Sequence, residues 1–169
     1  MLQTLIKMEN TRVLSKLLRT PDALNSLDID YHPPRVERLF GQVDEYRVYF
    51  HIIHPCRKED ALYHPHPWPS AMHVLKGTYE MGITHSAEDV SPSQLTTLAT
   101  VQMQGGGYYE MTDPNAWHYV RPLEGPCMSV MITGAPWGKW QEKKATKELK
   151  PLSAKRAAEI RMAFLDFYL

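Results

Sequence analysis

Cysteine is scarce. The chain has 169 residues and two cysteines, Cys56 and Cys127, far apart and in no CxxC arrangement. That count argues against a disulfide framework, and a reducing, cytoplasmic setting is expected. Charge of one sign is also missing. Nineteen basic residues balance nineteen acidic ones, so net charge gives no case for nucleic acid or an anionic membrane surface. No apolar run approaches the roughly 18–20 residues of a membrane span. The start, Met1 to Glu9, carries an early acid and lacks the order of a signal peptide. No internal repeat is visible. What remains is an ordinary globular composition, 43% apolar and 22% charged, of a length that suits one domain over 1–169.

The hydrophobic period changes along the chain. Leu2, Leu5, Ile6, Val13, Leu17 and Leu18 recur at helical spacing, which predicts one amphipathic helix over 2–19, stopped by Thr20-Pro21-Asp22. Residues 21–45 are mixed, contain Pro33-Pro34 and read as a connecting segment. From 46 the period is two. Tyr46, Val48, Phe50 and Ile52 alternate with Arg47, Tyr49, His51 and Ile53, a strand ended by Pro55. Met72 to Ile83, interrupted at Gly77 and Gly82, predicts strand, turn and strand. Further strands are expected over Leu98–Gln104, Tyr108–Met111, Trp117–Val120 and Cys127–Thr133, with a turn at Gly105-Gly106-Gly107. A charged linker, Gln141 to Lys150, precedes a helix over 153–168, capped by Ser153 and running through Ala157, Ile160, Phe164 and Phe167. The expected plan is an N-terminal helix and connection (1–45), a β region (46–134), and a linker and C-terminal helix (135–169). Short strands at this spacing suggest a sandwich or barrel.

One stretch carries most of the chemistry: Tyr63-His64-Pro65-His66-Pro67-Trp68-Pro69. Alternate side chains of an extended strand leave on one face, roughly 6.5–7 Å apart along it. His64 and His66 are so placed, and two neutral imidazoles that close can chelate one transition metal. His118, in Pro114-Asn115-Ala116-Trp117-His118, is the third candidate ligand. The other reading of His64-Pro65-His66 is a proline-stiffened surface loop with incidental histidines.

These residues resemble the motifs of the cupin superfamily. The first motif has HxH, then a Glu and a later Gly. His64-x-His66 and Gly77 match, whereas Lys58 stands at the first glycine position and Ser70 at the Glu position. The second motif spans a glycine to a histidine eleven residues on, the interval from Gly107 to His118. Asp113 and Asn115 flank Pro114 where a Pro and a Gly are usual, and Pro122 replaces the usual Asn. The resemblance covers roughly residues 58–122. It implies an all-β, jelly-roll cupin barrel between an N-terminal and a C-terminal helix, with His64, His66 and His118 on one divalent metal. With no carboxylate ligand, the set is similar to that of cysteine dioxygenase and related thiol dioxygenases, which use Fe(II). Such barrels often pair through edge strands, so a homodimer is implied.

The remaining polar residues sort by strand parity. Arg47, Tyr49 and His51 share one face, which makes them candidate catalytic or substrate-binding residues, Arg47 as a carboxylate anchor; the alternative is a solvated face. His73 has the opposite parity to His64 and His66 and reads as a hydrogen-bonded structural histidine. Glu80 and Glu110 read as solvated strand residues, with a late ligand or general base as the alternative. Ser70 could hydrogen-bond a bound water. Tyr108, Tyr109, Trp68, Trp117, Trp137 and Trp140 read as packing, and Cys56 as unreactive. The expected function is a metal-dependent cupin enzyme, foremost a three-histidine Fe(II) dioxygenase acting on a small polar molecule such as a thiol. A sugar or keto-acid isomerase or lyase using Zn, Ni or Mn is the second reading, and a non-enzymatic binding module the third.

Overall fold

The computed structural model describes residues 1–87, 90–138 and 149–169. Trp140 and most of the charged linker expected over 141–150 lie outside these residues. The chain opens with two short helices, α1 (Leu2–Asn10) and α2 (Val13–Leu18), where one helix is expected. The break falls at Arg12, whose φ of 59 is left-handed. The Thr11 hydroxyl donates to the Lys7 carbonyl at 2.7 Å and satisfies one of the end groups of α1. The turn lets Leu5 of α1 and Leu14, Leu17 and Leu18 of α2 face the same core.

Among the described residues ten strands follow, in two antiparallel sheets. The six-stranded sheet contains β1 (Asn25–Ile29), β2 (Val36–Val43), β3 (Tyr46–Ile53), β5 (Ser70–Lys76), β8 (Tyr108–Met111) and β10 (Cys127–Thr133), in the order β1-β2-β3-β10-β5-β8. The four-stranded sheet contains β4 (His64–Pro65), β6 (Thr78–His85), β7 (Ala99–Gln104) and β9 (Ala116–Pro122), in the order β4-β9-β6-β7. Among the described residues no ladder joins the two sheets, so the expected closed barrel is a sandwich. The chain changes sheet through turns that end the ladders. Between β5 and β6 this turn is Gly77, at φ 88, where a Cβ would meet Cys127 Sγ at 2.7 Å.

The sheet also begins earlier than expected. Residues 25–43, read as part of a connection, form β1 and β2. The physical reason is that β2 places a charge on each face. Glu37, Leu39 and Gly41 face one way and Val36, Arg38 and Phe40 the other, so hydrophobicity does not alternate. The β2–β3 hairpin turns at Asp44, in the left-handed region at φ 52, and sets Arg38 opposite His51.

Helix α3 (Ala154–Tyr168) starts where the Ser153 cap predicts, with Ser153 Oγ accepting from the Arg156 amide at 3.2 Å. It packs with α1 and α2 on the outer face of the large sheet, where Phe50 meets Phe164 edge-on at 5.1 Å. Phe164 is fully buried, but Phe167 is 44% exposed, so Ile160 and Leu165 complete the buried stripe. Strand β3 is buried on both faces from Val48 onward, because helices cover one and the second sheet the other. The expectation of a solvated face therefore fails beyond Arg47, the exposed residue near its start. Glu37 is buried under α3, its carboxylate accepting from Arg156 Nε at 2.7 Å and Nη2 at 2.6 Å, with His54 Nε2 at 2.8 Å.

Candidate metal centre

The prolines of 65, 67 and 69 fix φ and bias the residues before them to extended backbone. That keeps His64 and His66 on one side. Strand β4 is an edge strand, where a proline costs no ladder bond. It pairs antiparallel with β9, setting His64 opposite His118 and Pro65 opposite Trp117. The three rings converge: centroids are 5.4 Å apart for His64–His66, 4.7 Å for His64–His118 and 4.9 Å for His66–His118. One nitrogen from each lies within 4.8 Å of the others, and His66 Nε2 faces His118 Nε2 at 2.8 Å.

The donor set fits a divalent transition metal. Three imidazoles at about 2.1 Å from one cation stand roughly 3–3.5 Å from each other, inside the spread seen here. Ring orientation fits as well. His64 Nδ1 donates to the Leu62 carbonyl at 3.2 Å, and His118 Nδ1 points at Met81 Sδ at 3.3 Å. Both therefore turn an Nε2 lone pair inward. Burial is the main force that holds the imidazoles neutral: His64 is lowered to about 4, with His32 and Arg38 repelling its charged form, His66 to about 3, with His64 and Arg38 beside it, and His118 falls well below its ordinary value beside His64 and His66. Neutral nitrogen is the ligand form. Among the described residues no carboxylate or thiolate joins the group. Ser70 is buried on β5 and does not line the adjoining cavity.

That cavity has a volume of about 320 Å³ and lies between the sheets. Of the three expected catalytic residues, Tyr49 and His51 line it, their rings 5.9 Å apart. Arg47 does not; it is exposed, one step outside the buried part of β3. Its parity matches the cavity side, but its level along the strand lies beyond the cavity. Among the described residues that line the cavity, the cation is Arg38, which sequence reasoning missed. Its Nε donates to His51 Nε2 at 2.9 Å, and its Cζ lies 4.8 Å from the centre of the Tyr49 ring. The signal that points to it is the Asp44 hairpin, which pairs 38 with 51. Burial, with Arg38 beside it, pushes His51 well below its ordinary value.

The other candidates lie apart from the cavity. His73 Nδ1 donates to Glu9 Oε1 at 2.7 Å, and the ring stacks on Tyr108 at 3.8 Å, on the helix side of the large sheet. Glu80 accepts from the Tyr119 hydroxyl at 2.8 Å, and Glu110 from the Leu2 amide at 2.9 Å. Tyr109 donates to Met72 Sδ at 3.1 Å, and its ring lies 6.3 Å from His118. Both cysteines are free, and burial raises the thiol pKa of each. No described helix is long and apolar enough to cross a membrane.

Two antiparallel sheets enclosing an inward three-histidine group define a β-sandwich with a candidate metal centre. Solved structures share the fold. The hydroxypropylphosphonic acid epoxidase of S. wedmorenis is 12% identical with a TM-score of 0.50, matching 67% of this chain and 56% of that one. Fe(II)-HppE with the alternative substrate (S)-1-HPP is 12% identical with a TM-score of 0.51, over 67% and 57%. The match thus spans little more than half of those proteins. No family model and no curated protein matches the chain.

Proposed function

We propose that this chain is a metal-dependent enzyme that holds one divalent transition metal on His64, His66 and His118, with Fe(II) as the working metal and a small polar molecule, such as a thiol, oxidised with dioxygen. The carrying observation is the convergence of three neutral imidazoles, without a carboxylate, at a cavity large enough for a substrate. A fold neighbour that contains Fe(II) supports the choice of metal. Bound there, ferrous iron supplies Lewis acidity and the electrons that dioxygen chemistry needs. The chain's own residues do the rest. The three histidines fix the metal and add no negative charge. Met72, Val120 and Met131 line an apolar wall that excludes water. Tyr49 and His51 form one side of the substrate space, and Arg38 locks the His51 ring. Because His51 Nε2 already accepts from Arg38, that lone pair is not free to take a proton from a substrate. This counts against the isomerase or lyase reading, which needs a base.

The test is elemental analysis of untagged protein purified without oxygen, followed by oxygen-electrode assays with thiols and small hydroxy and keto acids. Iron near one per chain and uptake with at least one compound are expected. No uptake at full iron occupancy refutes the oxygenase reading, and no metal refutes the enzyme.

A further inference from the structure

We propose that the molecule this cavity receives is an amphiphilic carboxylate without an amino group, its carboxylate seated on Arg38 and its apolar body between the sheets. This deepens the metal-enzyme reading and rests on it for the reacting end of the ligand, not for the anion seat.

Charge is the first ground. An arginine stays protonated in any protein environment. Arg38 lines the cavity, yet none of the described residues that line it is an Asp or Glu. Its described partners are a neutral imidazole and an aromatic face, through His51 and Tyr49. Neither offsets a full positive charge, and Arg38 is a half-buried cation with no counterion among the described residues, which favours an anionic ligand. A divalent metal on the histidines would add two more positive charges.

Geometry is the second ground. The Nε–H of Arg38 is committed to His51. The two terminal nitrogens have no acceptor among the described residues. That edge presents two parallel N–H donors, the fork that a carboxylate meets with both oxygens. This unmatched edge calls for a ligand with two acceptor oxygens.

The same charge balance rejects a free amino group. An amino-acid zwitterion would bury its ammonium beside Arg38 and the metal with no described lining carboxylate to pair it. A mercapto, hydroxy or keto acid avoids that cost. Size and lining describe the rest of the molecule. An apolar cavity of about 150 Å³ holds benzene, and this one is about 320 Å³. Ile29, Val36, Ile53, Val120, Met72 and Met131 line it. An aryl or branched-alkyl group of roughly ten heavy atoms fits that space.

The test uses calorimetry on the full chain, metal-free and cobalt-loaded, with three probes of one shape: 3-phenylpropionate, 3-phenylpropanol and phenylalanine. A charge-assisted fork predicts that the acid binds about ten- to hundredfold tighter than the alcohol and the amino acid. Arg38→Gln should remove that margin and leave the alcohol unchanged, and Arg38→Lys should restore part of it. The wild-type ranking stands without any variant, should Arg38→Gln fail to fold. An alcohol or phenylalanine affinity within about threefold of the acid overturns the proposal. So does the absence of acid binding up to about 10 mM in both forms. Cobalt absorption bands report the metal separately. Acid binding by a chain that takes up no cobalt refutes the metal reading alone, and cobalt uptake without acid preference refutes the anion seat alone.

Discussion

Replacing Glu37 by Gln tests how the C-terminal helix is fastened to the sheet. Glu37 is buried, with 3% of its side chain exposed, and takes both forks of Arg156 as well as His54 Nε2. The Arg156 hydrogen bonds, then that from His54, hold its pKa at about 2 against an ordinary 4.5, despite burial. That difference corresponds to about 3 kcal/mol at neutral pH. A folded-state pKa below the unfolded one stabilises above the unfolded value. The contribution is therefore full above about pH 5, falls to about 1 kcal/mol near pH 3, and is lost below pH 2. For a chain of this size, about 3 kcal/mol lowers the melting temperature by roughly 6–12 °C. Urea unfolding followed by circular dichroism, at pH 7 and pH 3, reads both numbers. A loss under about 1 kcal/mol at pH 7, or an equal loss at both pH values, would refute the argument.

Four further outcomes are expected. His66→Ala should abolish stoichiometric metal while near-UV circular dichroism stays native, and full metal retention would sink the ligand assignment. Phe164→Ala should cost about 3–5 kcal/mol in urea unfolding, since the ring is fully buried against Phe50; under 1 kcal/mol would show that α3 is peripheral. Gly82→Ala should destabilise by about 1–3 kcal/mol and lower metal occupancy. Its Cβ would run into the Tyr119 ring, next to His118 on β9. Arg47→Ala should leave 3-phenylpropionate affinity unchanged, because that side chain is outside the cavity; a loss would return Arg47 to the site.

Much of the fold was legible where one periodicity dominates. Strands β3, β8 and β10 and helix α3 fall at or within a residue of their expected bounds, because each carries an uninterrupted period or a cap. Strands β1 and β2 were hidden. The first is polar, and the second has Glu37 and Arg38 side by side, so only the pairing with β3 reveals them. The helix break at Arg12 leaves no mark in residue type. At the site, the histidine spacing and the Gly107-to-His118 interval sufficed to bring together three residues from two strands and a proline-rich turn. Arg38 was out of reach, because its role depends on lying across from His51. Parity put Arg47 on the correct side of β3 but says nothing of height along the strand.

The neighbours Glu37 and Arg38 make β2 a strand whose alignment is checked electrostatically from both sides. A slip of one residue sends every side chain to the opposite face. In β2 it would turn a carboxylate into the cavity and a guanidinium against Arg156, so the cavity would lose its cation and Arg156 its acid. Misregistered chains therefore lose the helix fastener and the anion seat together. For redesign, the positive charge can move along β2 only in steps of two, to Val36 or Phe40, which changes how far from the histidines a ligand's head is held without disturbing the hold on α3.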